Sequence, residues 1–331
     1  MTNLSIGKLR GLQQLANSNG IFVMCAMDHR GSLQKMFNEE HPKSVSYRTM
    51  VNYKLDLCRA LAPHASAVLL DPVYGAAQAI AAGVLPGTTG LLVSMEATGY
   101  LGDKERRLTQ LLPNWDVKKV KKLGASAVKL LLYYRPDLDE IAAKQQELVK
   151  NLAEECIKED IPLLVEPKSY PVGRKERDPR EFARIKPQLV IETARQITAL
   201  HIDVLKVEFP ADLNYEPDEK RVLDFCKQLN EASQVPWVVL SAGVDFELFY
   251  KEVRLACQAG ASGFLGGRAL WQEAVGIRAR AERRKFLETT VVERLKQLAE
   301  VANTYGTPWY TKLGAKKHKL ALISEGWYQT Y

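Results

Sequence analysis

Residues Asp203–Pro210 read DVLKVEFP, and this stretch decides both the fold and the chemistry that we expect. Apolar and β-branched residues dominate it and a proline closes it, a pattern typical of a buried strand rather than a surface helix. Lys206 stands in its middle. Burial disfavours the charged form of an amine, and neutral buried lysines form Schiff bases with carbonyl substrates. On this segment alone, a lysine that extends its ammonium group to water remains an alternative.

Similar short apolar runs recur along the chain, and helical patterns separate them. The sequence predicts eight strands, at Ile21–Met27, Ala65–Leu70, Leu91–Met95, Ala125–Leu132, Pro162–Glu166, Asp203–Glu208, Trp237–Ser241 and Ser262–Gly266. It predicts helices near 47–62, 73–82, 116–123, 138–159, 180–200, 217–230, 245–259 and 269–285. This repeated βα unit indicates a (β/α)8 TIM barrel. A doubly wound sheet is the alternative, but no G-x-G-x-x-G motif follows the first strand.

No low-complexity linker interrupts the pattern, so we expect a single domain over residues 1–331. Its barrel core is predicted at about 20–285 and a C-terminal helical extension at about 286–331. A chain of 331 residues can hold such a barrel as one domain. The basic, aromatic tail from Lys312 to Tyr331 is either a packed extension or an oligomer contact, and we expect a homo-oligomer.

Composition predicts a cytoplasmic protein. Residues are 46% hydrophobic and 26% charged, and no run of about 18 apolar residues is present. The first residues lack the basic and apolar segments of a secretory signal. Five cysteines without a C-x-x-C pair indicate reduced thiols in the core.

A net charge of +7 is compatible with nucleic acid, a membrane surface or small anions as partners. Basic residues cluster within 118–122, 278–285 and 312–319. No nucleic-acid-binding motif accompanies them, so we interpret these clusters as solvated faces and expect neither nucleic acid nor a membrane as a partner.

Charged residues stand at the ends of consecutive predicted strands, where TIM barrels assemble their active sites. Asp28, His29 and Arg30 follow the first strand, and Asp71 and Glu96 follow the second and third. Inside or at the ends of the next three strands stand the charged residues Lys129, Glu166, Lys206 and Glu208. Side chains two apart in a strand share a face, so Lys206 and Glu208 are predicted to point the same way. Any one carboxylate could instead cap a helix or join a salt bridge.

Small residues follow strands seven and eight. Ser241 and Gly243 lie in the stretch LSAGV, and Gly266, Gly267 and Arg268 end the last predicted strand. Loops seven and eight of a barrel commonly bind phosphate through backbone N–H groups, and Arg268 adds a planar donor. Plain glycine turns are the alternative.

Several of these stretches resemble the class I tagatose-1,6-bisphosphate aldolases of the LacD type. The likeness runs from about Gly20 to about Trp271. Its most specific pieces are LLDPVYG at 69–75, AVKLLLYY at 127–134, DVLKVE at 203–208, LSAGV at 240–244 and GRALW at 267–271.

The resemblance implies a Schiff base at Lys206, a proton carrier at Glu166, and Lys129 and Asp28 as partners around the ketone. It also implies phosphate contacts at Ser241, Gly243 and Arg268 and at the His29-Arg30 corner, with no metal or other cofactor. His29 departs from the family, in which glutamine more often follows the aspartate. The sequence after Glu166 differs as well.

The function expected on these grounds is reversible cleavage of a ketose 1,6-bisphosphate, tagatose or an isomer, to dihydroxyacetone phosphate and glyceraldehyde 3-phosphate. A zinc-dependent aldolase is disfavoured because the five histidines show no paired ligand spacing. Two alternatives keep the same residues: an aldolase for 6-deoxy-6-sulfofructose 1-phosphate and a metabolite-sensing regulatory paralogue.

Overall fold

Eight parallel strands close into a barrel in chain order in the computed structural model, which describes residues 4–317, 319–329 and 331. The strands are β1 (Phe22–Ala26), β2 (Ala67–Leu70), β3 (Gly90–Ser94), β4 (Ala127–Tyr133), β5 (Leu163–Lys168), β6 (Val204–Val207), β7 (Trp237–Leu240) and β8 (Gly263–Gly266). β8 pairs with β1 and closes the ring. The predicted (β/α)8 TIM barrel is thus confirmed.

Helices connect the strands on the outside of the barrel. They are α1 (Ile6–Leu15), α2 (Gly31–Phe37), α3 (Tyr47–Leu61), α4 (Ala76–Ala81), α5 (Val117–Lys122), α6 (Asp139–Lys158), α7 (Pro179–Thr198), α8 (Glu219–Ala232), α9 (Phe246–Gln258), α10 (Arg268–Trp271), α11 (Arg280–Phe286), α12 (Val292–Tyr305) and α13 (Trp309–Lys312). Short 3-10 turns lie at 42–44, 62–64, 175–177, 272–276 and 327–329, and a π-helical turn joins α11 to α12 at 287–291.

Aspartate side chains fix where several of these helices begin. Asp116, Asp178, Asp218 and Asp245 each precede a helix and accept hydrogen bonds from backbone N–H groups of its first turn. Those N–H groups have no partner within the helix, so the caps stabilise α5, α7, α8 and α9 at their starts.

The region predicted as one helix over 269–285 is divided instead. The short α10 continues into the 3-10 turn at 272–276, Ile277 and Ala279 are extended, and α11 begins at Arg280. Gly276 lies at the end of that turn, and its low helix propensity favours an interruption there.

The interior of the barrel holds one apolar cluster, and a second cluster fills the space between strands and helices. Alternate strand residues such as Phe22, Met24 and Ala26 belong to the inner cluster. Leu12 and Leu15 of α1, which the sequence did not predict as a helix, join the same cluster together with Trp309. These residues close the amino-terminal end of the barrel.

The predicted C-terminal extension contains α12, which packs against β1, β8 and α9. Residues 318 and 330 of this extension lie outside the described part of the chain. Among the helices that the structure describes, none combines the length and apolarity needed to cross a membrane.

A buried ion pair joins α3 to the carboxyl ends of β1 and β2. Lys54 Nζ lies 2.6 Å from Asp71 Oδ2 and donates to the Met27 carbonyl oxygen at 2.5 Å, while both charged side chains are at most 1% exposed. Asp71 Oδ1 accepts from the N–H groups of Val73 and Tyr74. The pair therefore fixes the chain just before Asp28.

We expect Lys54→Met to lower the free energy of unfolding by about 3–5 kcal/mol, because it leaves the Asp71 carboxylate buried without its partner. Urea unfolding measures the change. Lys144→Met is the control, since Lys144 pairs with Glu140 in solvent and its loss should cost at most about 1 kcal/mol. A loss at Lys54 no larger than at Lys144 would contradict the assigned role.

Candidate active site

The strand alternation brings charged side chains into the barrel just above its apolar interior. Ala127, Leu164 and Val204 belong to the inner apolar cluster. Two residues further along the same strands, on the same face, stand Lys129, Glu166 and Lys206. The three charges therefore lie together at the carboxyl end of the barrel.

Glu166 lies between the two lysines. Its Oε2 is 2.9 Å from Lys206 Nζ and 3.0 Å from Lys129 Nζ. All three side chains are almost fully buried, with exposed fractions of 5% for Lys206, 1% for Lys129 and 11% for Glu166. A single carboxylate oxygen thus contacts both amines out of bulk water.

The two lysines differ in how many carboxylates surround them. Lys129 Nζ lies 2.8 Å from Asp28 Oδ2 and 2.8 Å from Glu96 Oε1, in addition to Glu166. Burial alone would lower the pKa of Lys129, but these carboxylates outweigh it and hold the pKa well above its ordinary value. Lys129 is therefore a permanent ammonium ion, whereas Lys206 forms an ion pair, among the described residues, with Glu166 alone.

Two carboxylates of the cluster, Asp28 and Glu166, remain ionised. Burial raises the pKa of Asp28, but the positive charge of Lys129 outweighs it and the pKa lies below its usual range. Burial likewise raises the pKa of Glu166, and Lys129 and Lys206 together bring it below the ordinary value. In the resting state Glu166 can therefore accept a proton.

A cavity of about 210 Å³ opens above this cluster. Six of the seven charged residues singled out from strands one, four, five and six line it, namely Asp28, His29, Arg30, Lys129, Glu166 and Lys206, and Glu208 is the exception. Sequence reasoning placed Glu96 at the end of strand three without giving it a role, and it did not assign Thr98 or Tyr133 to the site, although all three line the same cavity. Glu96 follows Leu92 and Ser94 at intervals of two, and this spacing could have indicated that it faces the cavity.

His29 and Arg30 lie on different sides of Asp28 rather than at one corner. The His29 ring meets Trp271 edge to face, with centroids 5.1 Å apart, and a Cβ atom on Gly267 would lie 3.0 Å from its Cε1. Arg30 instead donates a hydrogen bond to the carbonyl oxygen of Glu96. His29 therefore faces β8 and Arg30 faces β3.

His29 is a neutral, incompletely bonded side chain. Burial lowers its pKa to about 3, because Asp28 offsets the burial only in part and Arg268 adds a repulsive charge. Its Nδ1 is buried without a hydrogen-bond partner among the described residues and lies 3.8 Å from Asp28 Oδ1. Such an atom is available to a substrate.

The residues predicted after strands seven and eight form a group beside His29. Ser241 Oγ accepts from the Gly267 N–H at 3.2 Å, and Arg268 Nη2 donates to the Ala242 carbonyl oxygen at 3.1 Å. Gly243 has a φ of +90°, and a Cβ there would lie 2.8 Å from the Arg268 guanidinium carbon. The backbone conformation therefore favours glycine at this position, and Arg268 occupies the space that a side chain would take.

Gly266 supports this group, and none of the five residues predicted after strands seven and eight lines the cavity. A Cβ atom at Gly266 would lie 2.9 Å from the Phe249 ring, so the residue allows α9 to pack closely against β8.

Two other carboxylates at strand ends have structural partners. Asp71 pairs with Lys54 of α3, as described above. Glu208 Oε2 accepts hydrogen bonds from the Ser169 N–H at 2.7 Å and from its hydroxyl at 2.6 Å, which ties the ends of β6 and β5 together. Glu208 therefore contacts the neighbouring strand end.

Comparison with known proteins extends over the whole barrel. A family model described as DeoC/LacD family aldolase matches residues 22–273. Tagatose 1,6-diphosphate aldolase 1 of Enterococcus faecalis is 34% identical to this chain, over 95% of the chain and 100% of that protein. Tagatose 1,6-diphosphate aldolase of Staphylococcus haemolyticus is 33% identical, over 92% of the chain and 98% of that protein.

A solved structure of a fructose-1,6-bisphosphate aldolase, described as Schiff base forming, has the same fold. The two structures superpose with a TM-score of 0.56 and 21% sequence identity, over 85% of this chain and 96% of that chain. At this identity the likeness concerns the fold alone.

The neutral state of His29 has a consequence for stability. Unfolding returns its pKa from about 3 to about 6.5, so below pH 6.5 the unfolded chain binds a proton that the folded chain does not. The folded state should therefore lose up to about 1.4 kcal/mol per pH unit from this residue as the pH falls. We expect the free energy of unfolding in urea to fall less steeply between pH 6.5 and 4.5 for His29→Gln. Equal slopes would show that His29 is not buried in its neutral form.

Proposed function

This chain belongs to the DeoC/LacD family of aldolases and is a carbon–carbon lyase; from that premise we propose that it is a class I, Schiff-base enzyme for ketose 1,6-bisphosphates. Its substrate is tagatose 1,6-bisphosphate or an isomer, which it cleaves reversibly to dihydroxyacetone phosphate and glyceraldehyde 3-phosphate. The names of the bacterial relatives support this substrate class.

The position of Glu166 between Lys206 and Lys129 is the observation that carries the proposal. A Schiff base requires an amine that can become neutral and a nearby group that can take and return protons. Lys206 needs to give its proton only to Glu166, 2.9 Å away. Lys129, which three carboxylates hold charged, cannot serve as the nucleophile.

In the first half of the proposed reaction, Glu166 takes a proton from Lys206, and the neutral amine attacks the C2 ketone. The ketone oxygen becomes an alkoxide beside the Lys129 ammonium group, which stabilises its negative charge. A proton then passes from the new ammonium nitrogen to this oxygen and gives the carbinolamine hydroxyl. Glu166 then returns its proton to the carbinolamine hydroxyl. Water leaves and an iminium ion joins C2 to Lys206.

In the second half, Glu166 is again a carboxylate and accepts the proton of the C4 hydroxyl. The C3–C4 bond breaks, its electron pair moves toward the iminium nitrogen, and an aldehyde leaves. The remaining enamine is protonated at C3 and hydrolysed by water. This step releases dihydroxyacetone phosphate and restores the Lys206 amine.

Two cationic groups flank this centre and suit the two phosphates of the substrate. Arg268, with Ser241 and Gly243 beside it, lies on the β7 and β8 side. Arg30 lines the cavity on the β3 side. We assign the distal phosphate to Arg30 and the other phosphate to Arg268, because charge-assisted contacts from arginine bind phosphate strongly.

A cytoplasmic location and a homo-oligomeric state complete the proposal. All five cysteines are buried thiols without a disulfide, as expected in a reducing compartment. Leu322, Ile323 and Tyr328 of the C-terminal tail are more than half exposed, which supports a contact between subunits.

Borohydride reduction in the presence of substrate tests the covalent chemistry. We expect mass spectrometry to find the reduced three-carbon adduct on Lys206, with no adduct in Lys206→Met. A chelator should leave the cleavage rate unchanged. An adduct on Lys129, or a rate that chelation abolishes and zinc restores, would contradict the proposal.

Arginine substitutions test the two ends of the substrate. Arg268→Ala and Arg30→Ala should each lose roughly 2–4 kcal/mol in kcat/KM for the bisphosphate, because each removes a charge-assisted contact. On a ketose 1-phosphate, Arg30→Ala should lose little relative to the parent enzyme, while Arg268→Ala keeps its full loss. Steady-state kinetics on both substrates measure this. Equal losses on both substrates would contradict separate contacts.

A further inference from the structure

Four arginines that take no part in the proposed reaction converge on one carboxylate of helix α3. Arg280 donates to Asp56 through Nε at 3.0 Å and Nη2 at 3.1 Å. Arg284 donates to it through Nε at 2.8 Å. Arg59 and Arg283 approach the same carboxylate at 3.4 Å and 3.7 Å. Helices α3 and α11 are joined at this point.

The charges of this arginine cluster (Arg59, Arg280, Arg283 and Arg284) are not balanced. Within the described part of the chain, none of the four forms an ion pair with a carboxylate other than Asp56. Four guanidinium groups against one carboxylate leave an excess of three positive charges. The ion pairs with Asp56 therefore account for only a quarter of the positive charge.

Asp56 lies beneath the arginines and not among exposed charges. Its side chain is fully buried, whereas those of Arg59, Arg280 and Arg284 are 45%, 48% and 39% exposed. Burial alone would raise the pKa of Asp56, but hydrogen bonds from Arg280 and Arg284 outweigh it and hold the pKa below its ordinary value. The carboxylate stays ionised and orders guanidinium groups whose other faces reach solvent.

The arginine cluster has more N–H donors than hydrogen-bond acceptors, as Arg283 shows. Its Nε is buried without a hydrogen-bond partner among the described residues. Its guanidinium carbon lies 5.7 Å from the centre of the Tyr53 ring. The Tyr53 hydroxyl donates to the Trp271 carbonyl oxygen, so the cluster lies behind the wall of the candidate active site and outside its cavity.

We propose that the arginine cluster is a second oxyanion site, which takes a phosphate group from solvent as inorganic phosphate or as the ester of a small metabolite. A phosphate dianion matches the excess charge better than a carboxylate does, and its oxygens accept paired N–H groups from arginine forks. Because Asp56 already orders Arg280 and Arg284, a ligand need not immobilise them from free rotamers.

The melting temperature of the full chain in phosphate, compared with chloride at equal ionic strength, tests the site. A ligand that binds only the folded state raises this temperature. We expect Arg280→Gln/Arg284→Gln to lose at least half of the phosphate-dependent rise. The control Arg195→Gln should keep all of it, since Arg195 is an exposed arginine that pairs, among the described residues, with Glu192 alone. An unchanged rise in the double variant would overturn the proposal.

Two further variants separate this site from the active site and from a purely structural role. Arg268→Ala, in the proposed active site, should keep part of the phosphate-dependent rise in melting temperature. Adding Arg280→Gln/Arg284→Gln to it should reduce that rise further. If Arg268→Ala alone abolishes the rise, phosphate binds only at the active site and the second site does not exist. Asp56→Asn increases the excess charge and should enlarge the rise. If Asp56→Asn instead lowers the melting temperature by the same amount in phosphate and in chloride, the cluster is structural only.

A parallel titration with glycerol phosphate shows whether the ligand is inorganic phosphate or a phosphate ester. An equal or larger rise than with inorganic phosphate, lost in the same double variant, assigns the site to phosphate esters. A rise with inorganic phosphate alone assigns it to the free ion. No cluster-dependent rise with either ligand overturns the site, and none of these outcomes depends on whether Lys206 forms a Schiff base.

Discussion

The contact of one Glu166 oxygen with both Lys206 and Lys129 is the interaction on which the candidate active site depends. Burying a single charge costs several kcal/mol, so none of these side chains would be stable in the barrel alone. Asp28 and Glu96 complete the set by pairing with Lys129. Three carboxylates then face two ammonium groups. The carboxylates outnumber the ammonium groups, so the centre does not itself attract an anionic sugar bisphosphate, and in the proposed reaction Arg30 and Arg268 at its flanks supply that attraction.

Proton movement within this cluster is easy for the same reason that the cluster is stable. A proton that passes from Lys206 to Glu166 turns an ion pair into a neutral pair and leaves the net charge of the buried site unchanged. If a base in bulk water took this proton instead, the buried site would lose one positive charge while its carboxylates stayed as they were, at a cost of several kcal/mol. Lys129 does not share in this exchange, because two further carboxylates keep it charged. In the proposed reaction its positive charge instead faces the carbinolamine oxygen.

The sequence predicted the residues of this centre that lie within strands, because strand geometry fixes the face that each side chain occupies. Lys129, Glu166 and Lys206 lie inside buried strands, where alternation alone decides which face they occupy. Asp71 and Glu208 stand just past strand ends, and there alternation no longer determines their contacts. Asp71 turns to Lys54, a helix residue that no strand pattern could reveal, and Glu208 turns to Ser169.

Helix α1 escaped prediction for a related reason. Its sequence, IGKLRGLQQL, contains two glycines that weaken the local helical preference. Gly11 is required there, because a Cβ atom would lie 2.4 Å from the Ser126 carbonyl oxygen. The helix is stabilised by packing Leu12 and Leu15 beneath the barrel, a contact between distant parts of the chain. Tertiary packing thus outweighs local propensity at this end.

The side chains of His29 and Arg30 point in opposite directions from one loop, toward β8 and toward β3. Arg30 precedes α2 with a backbone that is neither helical nor extended, and this turn sends its side chain toward β3. His29 packs between Trp271 and Gly267, where a side chain at Gly267 would collide with the imidazole. The first and last loops of the barrel are therefore fitted to each other through this contact. The histidine at position 29 therefore shapes the β8 side of the site, while Arg30 lies on the β3 side.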